Sequence, residues 1–212
     1  MLKSKVNLIF LKLSKIYPKP KSELKYINNF TFLVSVILSA QSTDVSVNKA
    51  TKELFKIAKN PHEMIKLGEK KLRKHIKTIG LYNSKARNIM YLSKILINKY
   101  DCKVPKDFSE LVLLPGVGQK TASVYQNVIL KKPKIAVDTH VFRVSNRLGL
   151  VKESTPNKTQ ETLEKIVPKK WKHTAHILLI LHGRRICKSQ RPICGSCVVF
   201  SNCQYPKKII LA

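Results

Sequence analysis

Apolar residues recur at intervals of three and four along nearly the whole chain, and strict apolar–polar alternation is almost absent. That period belongs to helices with one buried face. Val6, Ile9, Phe10, Leu13 and Ile16 form such a stripe in a first segment, Leu2–Ile16. Phe30–Ser39 is apolar all round and reads as a buried helix, followed by an amphipathic one over Ser46–Lys59. Further helices are predicted over Pro61–Leu67, Glu69–Thr78, Ser84–Lys99, Lys106–Leu113, Gln119–Leu130, Thr139–Arg147, Lys158–Ile166 and Thr174–Arg184. The connections are short and carry Gly, Pro or Asn, as at Gly80–Asn83, Pro115–Gly118, Lys131–Pro133 and Pro168. An all-α protein is therefore expected, with a cysteine-bearing loop near the C-terminus as its irregular segment.

Composition sharpens this picture in two ways. A chain of 212 residues can hold one large or two small domains with apolar cores. Its 41 Lys+Arg against 12 Asp+Glu give a net charge of +29, a field that attracts polyanions, most commonly nucleic acid. Lys, Ile and Asn are abundant throughout, so part of the charge follows a composition bias towards AT-rich coding. The longest apolar run, Phe30–Ala40, is too short to span a bilayer. Lys12 and Lys15 interrupt any signal-peptide core, and Pro18 and Pro20 end the first helical pattern. A soluble, cytoplasmic protein is expected, with no membrane partner.

The densest cluster of reactive side chains is Cys187, Cys194, Cys197 and Cys203, spaced C-x6-C-x2-C-x5-C. In a reducing cytosol such thiolates gather around a metal centre rather than pair as disulfides. Iron–sulfur and zinc both suit four thiolates, and spacing alone does not separate them. Cys102 lies outside the cluster and reads as a small core residue.

Three further positions carry candidate chemistry. Around Pro115-Gly-Val-Gly118 one helix ends at Leu114 and another opens at Gln119. Gly116 and Gly118 allow a sharp turn and close backbone approach to a ligand, and the N–H groups of the second helix's first turn suit a phosphate. The same pattern also fits a plain helical corner with a glycine C-cap. Lys120 falls in that first turn, where the positive end of the helix dipole favours the free amine, a nucleophile capable of forming a Schiff base; on position alone it reads equally as one more surface lysine. Asp138 closes the apolar stretch Ile135–Val137 just before a helix, so it suits either an N-cap or a general base. His140 reads as a packing or backbone-contacting residue, not a metal ligand.

The hairpin, Lys120, Val137-Asp-Thr-His140 and the four-cysteine tail occur in the order seen in bacterial endonuclease III, and the chain resembles that family. Leu38-Ser-Ala-Gln-Ser-Thr-Asp44 and Thr78-Ile-Gly-Leu-Tyr-Asn-Ser-Lys-Ala86 are similar to its segments too. The resemblance covers essentially the whole chain. It implies a bifunctional DNA glycosylase and AP lyase that removes oxidised pyrimidines from double-stranded DNA, cleaves abasic sites and acts as a monomer on the nucleoid. It implies two helical domains with a DNA groove between them. One is a six-helix domain over 22–132; the other joins 1–21 to 133–212 and holds a [4Fe-4S] cluster on the four cysteines. Lys120 and Asp138 would be catalytic. Gln41 and Leu81 would enter the space left by an extruded nucleotide, although residue type alone makes them a helix-end polar group and a loop anchor. Gly116, Gly118, His140, Arg184, Lys188 and Arg191 would join them in contacting DNA. Tyr125 and Gln126 depart from the small or aliphatic residues expected after the hairpin, and the cluster loop is less basic than the family norm.

Overall fold

The computed structural model describes residues 3–18, 20 and 23–208. Every regular element among them is helical, as the periodicity predicts. The α-helices are α1 (Lys3–Ile16), α2 (Asn29–Ser39), α3 (Asp44–Ile57), α4 (Pro61–Leu67), α5 (Glu69–Ile76) and α6 (Tyr82–Tyr100). They continue as α7 (Phe108–Val112), α8 (Gln119–Val128), α9 (Thr139–Arg147), α10 (Pro156–Ile166) and α11 (Ala175–Arg185). The chain divides into two compact units, Glu23–Leu130 and Met1–Ser22 with Lys131–Ala212.

Caps account for two of the differences between predicted and observed boundaries. Thr43 accepts a hydrogen bond from Ser46 N, so α3 starts at Asp44 rather than Ser46. Thr155 accepts from Lys158 N and Pro156 takes the first helical position, so α10 starts two residues before Lys158. Cys102 is not a core residue. It is only partly buried, at φ 58°, and its N–H reaches back to Leu96 O at 2.9 Å to close the end of α6.

In the Glu23–Leu130 unit, α2 is buried at every position from Phe30 to Leu38. A reciprocal cap opens it: Asn28 Oδ1 accepts from Thr31 N, and Thr31 Oγ1 accepts from Asn28 N, both at 2.9 Å. Helices α3, α6 and α8 pack on α2 and join one apolar core. Tyr125 and Gln126 are absorbed into that core. Tyr125 lies beside Phe32, with ring centroids 6.2 Å apart, and burial pushes its phenol up to about 12. Gln126 Nε2 donates to Lys106 O at 2.9 Å.

In the other unit, Val6, Ile9, Phe10 and Leu13 bury the inner face of α1, which packs on α11. The Phe10 ring stacks on Trp171 at 6.4 Å, and Trp171 Nε1 donates to Asn7 Oδ1 at 2.9 Å. The first helix thus belongs to a unit whose other helices begin beyond residue 131. Helix α9 lies close on α11 because Gly183 has no side chain; a Cβ there would meet His140 Cβ at 3.0 Å. After α11 the described chain makes only the short 3-10 turns Cys194–Ser196 and Phe200–Asn202.

Candidate functional site

The hairpin forms as its sequence suggests. Helix α7 ends, Leu114 N returns to Leu111 O and Val117 N to Leu114 O, and Gly116 takes φ 79°. A Cβ on Gly116 would stand 3.2 Å from both Asn88 Cβ and Ile37 Cγ2, so glycine lets this turn sit directly on α6 and α2. Gly118 then precedes α8, whose N-terminus has no side-chain cap. Such an end directs backbone N–H groups outwards, the arrangement that receives phosphates. Lys120 is exposed in the first turn of α8.

Gln41 and Leu81 share an unusual backbone state. Six non-glycine residues among those described have positive φ: Gln41 (55°), Leu81 (59°), Asp101, Cys102, Lys131 and Arg191 (47°). Such residues carry local strain that surrounding contacts must hold. Three of the six are positions expected to touch DNA. Gln41 is exposed and Leu81 is 59% exposed, so neither earns its conformation by filling the core. The two turns adjoin: a Cβ on Gly80 would lie 3.5 Å from Gln41 O.

Beneath them lies Lys85, which the sequence reading passed over. It is only 5% exposed. Its ammonium donates to Leu38 O at 2.8 Å, Ala40 O at 2.5 Å and Ser42 Oγ at 3.2 Å. Three donors thus meet three acceptors. Burial pulls its pKa below the usual lysine value. Leaving one such buried acceptor unsatisfied costs about 1–3 kcal/mol.

In the other unit, Asp138 is half-buried and is the N-cap of α9, accepting from Val141 N at 2.8 Å. The cap holds its carboxyl at the positive end of that helix. Two residues on, His140 Nδ1 lies 3.2 Å from Arg143 Nη2. Arg143 also donates to Gly183 O and Cys187 O, at 3.0 and 3.1 Å. Arg147, four residues further along the same helix face, donates to Lys188 O at 2.6 Å and Ser189 O at 2.9 Å. These two arginines, also missed in the sequence, fasten the start of the cysteine loop to α9. Within and before that loop Arg184, Lys188 and Arg191 are exposed.

Cys187, Cys194, Cys197 and Cys203 line one cavity with His182 and Tyr205, enclosing about 340 Å³ including its open mouth. Among the described residues, no group of three or more His, Cys, Asp or Glu side chains is gathered so as to hold a metal ion. Burial pushes the Cys187 and Cys197 thiols up, and the neighbouring cysteines add to that rise. Opposing it, Arg147 Nη1 approaches Cys187 Sγ at 3.7 Å, and Tyr205 N donates to Cys203 Sγ at 3.4 Å. N–H groups aimed at sulfur suit thiolates serving as ligands. His182 lies 3.6 Å from Cys197 Sγ, and burial pushes its pKa down to about 4.

Comparison with known proteins places this geometry. Residues 34–169 match the HhH-GPD superfamily of base excision DNA repair proteins, and the chain belongs to that family. It is 54% identical over 200 residues to endonuclease III of Rickettsia conorii, covering 94% of this chain and 95% of that one. Against endonuclease III of Escherichia coli K12 it is 45% identical over 209 residues, covering 99% of each. A solved structure of a trapped endonuclease III–DNA covalent intermediate superposes with a TM-score of 0.91, at 43% identity and 96% coverage of both chains. The resemblance drawn from the motifs is thereby borne out.

Proposed function

We propose that this chain excises oxidised pyrimidines from double-stranded DNA through an imine formed by Lys120, and then nicks the strand. It is a DNA glycosylase with AP-lyase activity in base excision repair. The observation that carries the assignment of Lys120 is its exposed position in the first turn of α8, directly after a glycine hairpin. An amine there lies beside N–H groups suited to a DNA phosphate and at the positive end of a helix dipole.

The chemistry follows from those placements. The damaged nucleotide must leave the stack before any side chain reaches its sugar. Gln41 and Leu81 fill the vacated space, the amide pairing with the orphaned base and the leucine acting as an apolar wedge. The Lys120 amine attacks C1′, and the glycosidic bond breaks with its electron pair leaving on the base. Ring opening gives a protonated imine, which acidifies the C2′ hydrogen; loss of that proton expels the 3′-phosphate by β-elimination. Asp138 activates the attack and balances the positive charge on the sugar. The hairpin at Gly116 and Gly118 holds a phosphate, and His140, Arg184, Lys188 and Arg191 add contacts along the strand.

In this reading the two units correspond to the helix–hairpin–helix domain, with seven α-helices, α2 to α8, where six were expected, and to a cluster domain. Cys187, Cys194, Cys197 and Cys203 hold a [4Fe-4S] cluster, for which four cavity-lining thiols, with N–H donors at Cys187 and Cys203, are a suitable ligand set. When bound, the cluster shapes the loop carrying Lys188 and Arg191 and takes no part in bond breaking. The protein acts as a monomer on the nucleoid. No helix among the described residues is long and apolar enough to cross a membrane.

Borohydride trapping on a duplex with one thymine glycol tests the assignment. Wild type yields a covalent adduct; Lys120→Gln yields none and releases no base, yet still binds DNA. Loss of binding together with chemistry would instead make Lys120 a phosphate contact. Absence of any wild-type adduct, with binding kept, would favour a non-catalytic helix–hairpin–helix protein.

A further inference from the structure

We infer that Lys85 is a positioning residue that locks the Gln41 turn and the Leu81 turn into one rigid wedge. Its side chain holds the first turn and its own backbone holds the second. The inference rests on the reading that Gln41 and Leu81 enter the space left by the extruded nucleotide.

The end of α2 defines the problem to be solved. The last carbonyls of a helix lack partners within it, and a glycine in the left-handed conformation commonly closes such an end. Here Gln41 itself takes that conformation, at φ 55°, and Ser42 N returns to Ser39 O at 3.1 Å. No glycine is present between Ser39 and Ser42 to make this inexpensive. The ammonium of Lys85, reaching across from α6, takes up Leu38 O and Ala40 O on one side of Gln41 and Ser42 Oγ on the other. It thus brackets Gln41 without touching its side chain, which stays exposed and able to pair.

The second turn is held by the same residue. Leu81 stands just before α6 at φ 59°, again left-handed and again not glycine. Lys85 N donates to Leu81 O at 3.0 Å, and Ser84 Oγ donates to the same oxygen at 3.0 Å. Because Gly80 carries no Cβ, its backbone also lies close to Gln41 O. A buried charged group with every donor used has one geometry available to it, so the two turns move together or not at all. An ordinary cap would stabilise the end of α2; this one also sets the separation of two residues that enter the space left by one extruded nucleotide.

The cost of extrusion is largest for a well-paired lesion and smallest where pairing is already lost, and this separates positioning from general stabilisation. The test measures single-turnover base release from thymine glycol opposite adenine and from thymine glycol opposite a one-nucleotide gap. Lys85→Met keeps the buried stem and removes the ammonium. It should slow release from the paired lesion about tenfold or more, and from the gapped one less than about threefold. Ser42→Ala, which removes one acceptor at a partly exposed position, should show the same asymmetry at smaller size; it carries the test if Lys85→Met does not fold. An equal loss on both duplexes would overturn the inference and make Lys85 a structural cap. Gln41→Ala and Leu81→Ala run in parallel: if neither discriminates between the duplexes, the wedge reading itself fails, and the inference with it.

Discussion

Helices α2 to α8 of the Glu23–Leu130 unit surround a continuous apolar core, with α2 buried along nearly its whole length. The other unit has its own core where α1 meets α9, α10 and α11, but its last described stretch is different. From Ile186 to Lys208 there is no α-helix, only two short 3-10 turns around a cavity lined by thiols. The first unit meets the entropy of chain ordering by burying apolar surface; the second leaves over twenty residues to be ordered by something else. What orders them on the protein side is Val199, buried in that unit's core, together with Arg143 and Arg147 donating to the carbonyls of Cys187, Lys188 and Ser189. Strain is distributed accordingly. Gln41 and Leu81 hold left-handed backbones on a rigid apolar base, whereas Arg191 does so on a loop.

The contrast can be broken most severely at the thiols. On the proposal that the four thiols hold a cluster, Cys197→Ser should lower the iron content and destabilise its unit by on the order of 5 kcal/mol or more, comparable to a whole domain's stability. Amide exchange should become fast in α9–α11 while α2–α8 stay protected; simultaneous loss in both would show that the second core does not stand alone. The reciprocal experiment is Leu54→Ala, at a fully buried position of the first core. A cavity there should cost about 2–5 kcal/mol. Exchange in α2–α8 should accelerate with iron content per chain unchanged, and a fall in iron would contradict the separation. The smallest expected effect is Arg147→Lys, which keeps the charge but cannot reproduce a fork donating to two carbonyls. A loss of about 1 kcal/mol is expected. It should be confined to faster exchange at Lys188–Arg191 and weaker, equally salt-sensitive DNA binding. Unaltered exchange there would mean that the loop is held by other contacts.

How far the sequence could be read differs between these regions for the same physical reason. The helices of both units were legible because their period is local; their ends shifted by one or two residues, at α3 and α10 because Thr43 and Thr155 supply caps. The hairpin and the thiol spacing were legible as residue types in order. Asp138 was read as either a cap or a base; its side chain is seen capping α9, and its chemical role rests on the family's chemistry. Cys102 was misread because a cysteine after a helix gives no sign that it will adopt a left-handed turn. Lys85, His182, Arg143 and Arg147 went unnoticed among 41 basic residues or in apolar surroundings.

The sequence by itself determined the helical class, the caps, the glycine turn before Lys120 and the set of four thiols, since each acts through neighbours within a turn or two. Only the tertiary structure decided which of many lysines is buried and what it holds. Lys85 meets Leu38 O across 47 residues of chain because α6 packs on α2, and no local pattern encodes that pairing. Likewise the arginines of α9 reach carbonyls more than forty residues away, because Gly183 lets α11 approach. Local propensity chose the elements, and packing chose which charged groups were taken out of water and therefore had to be satisfied.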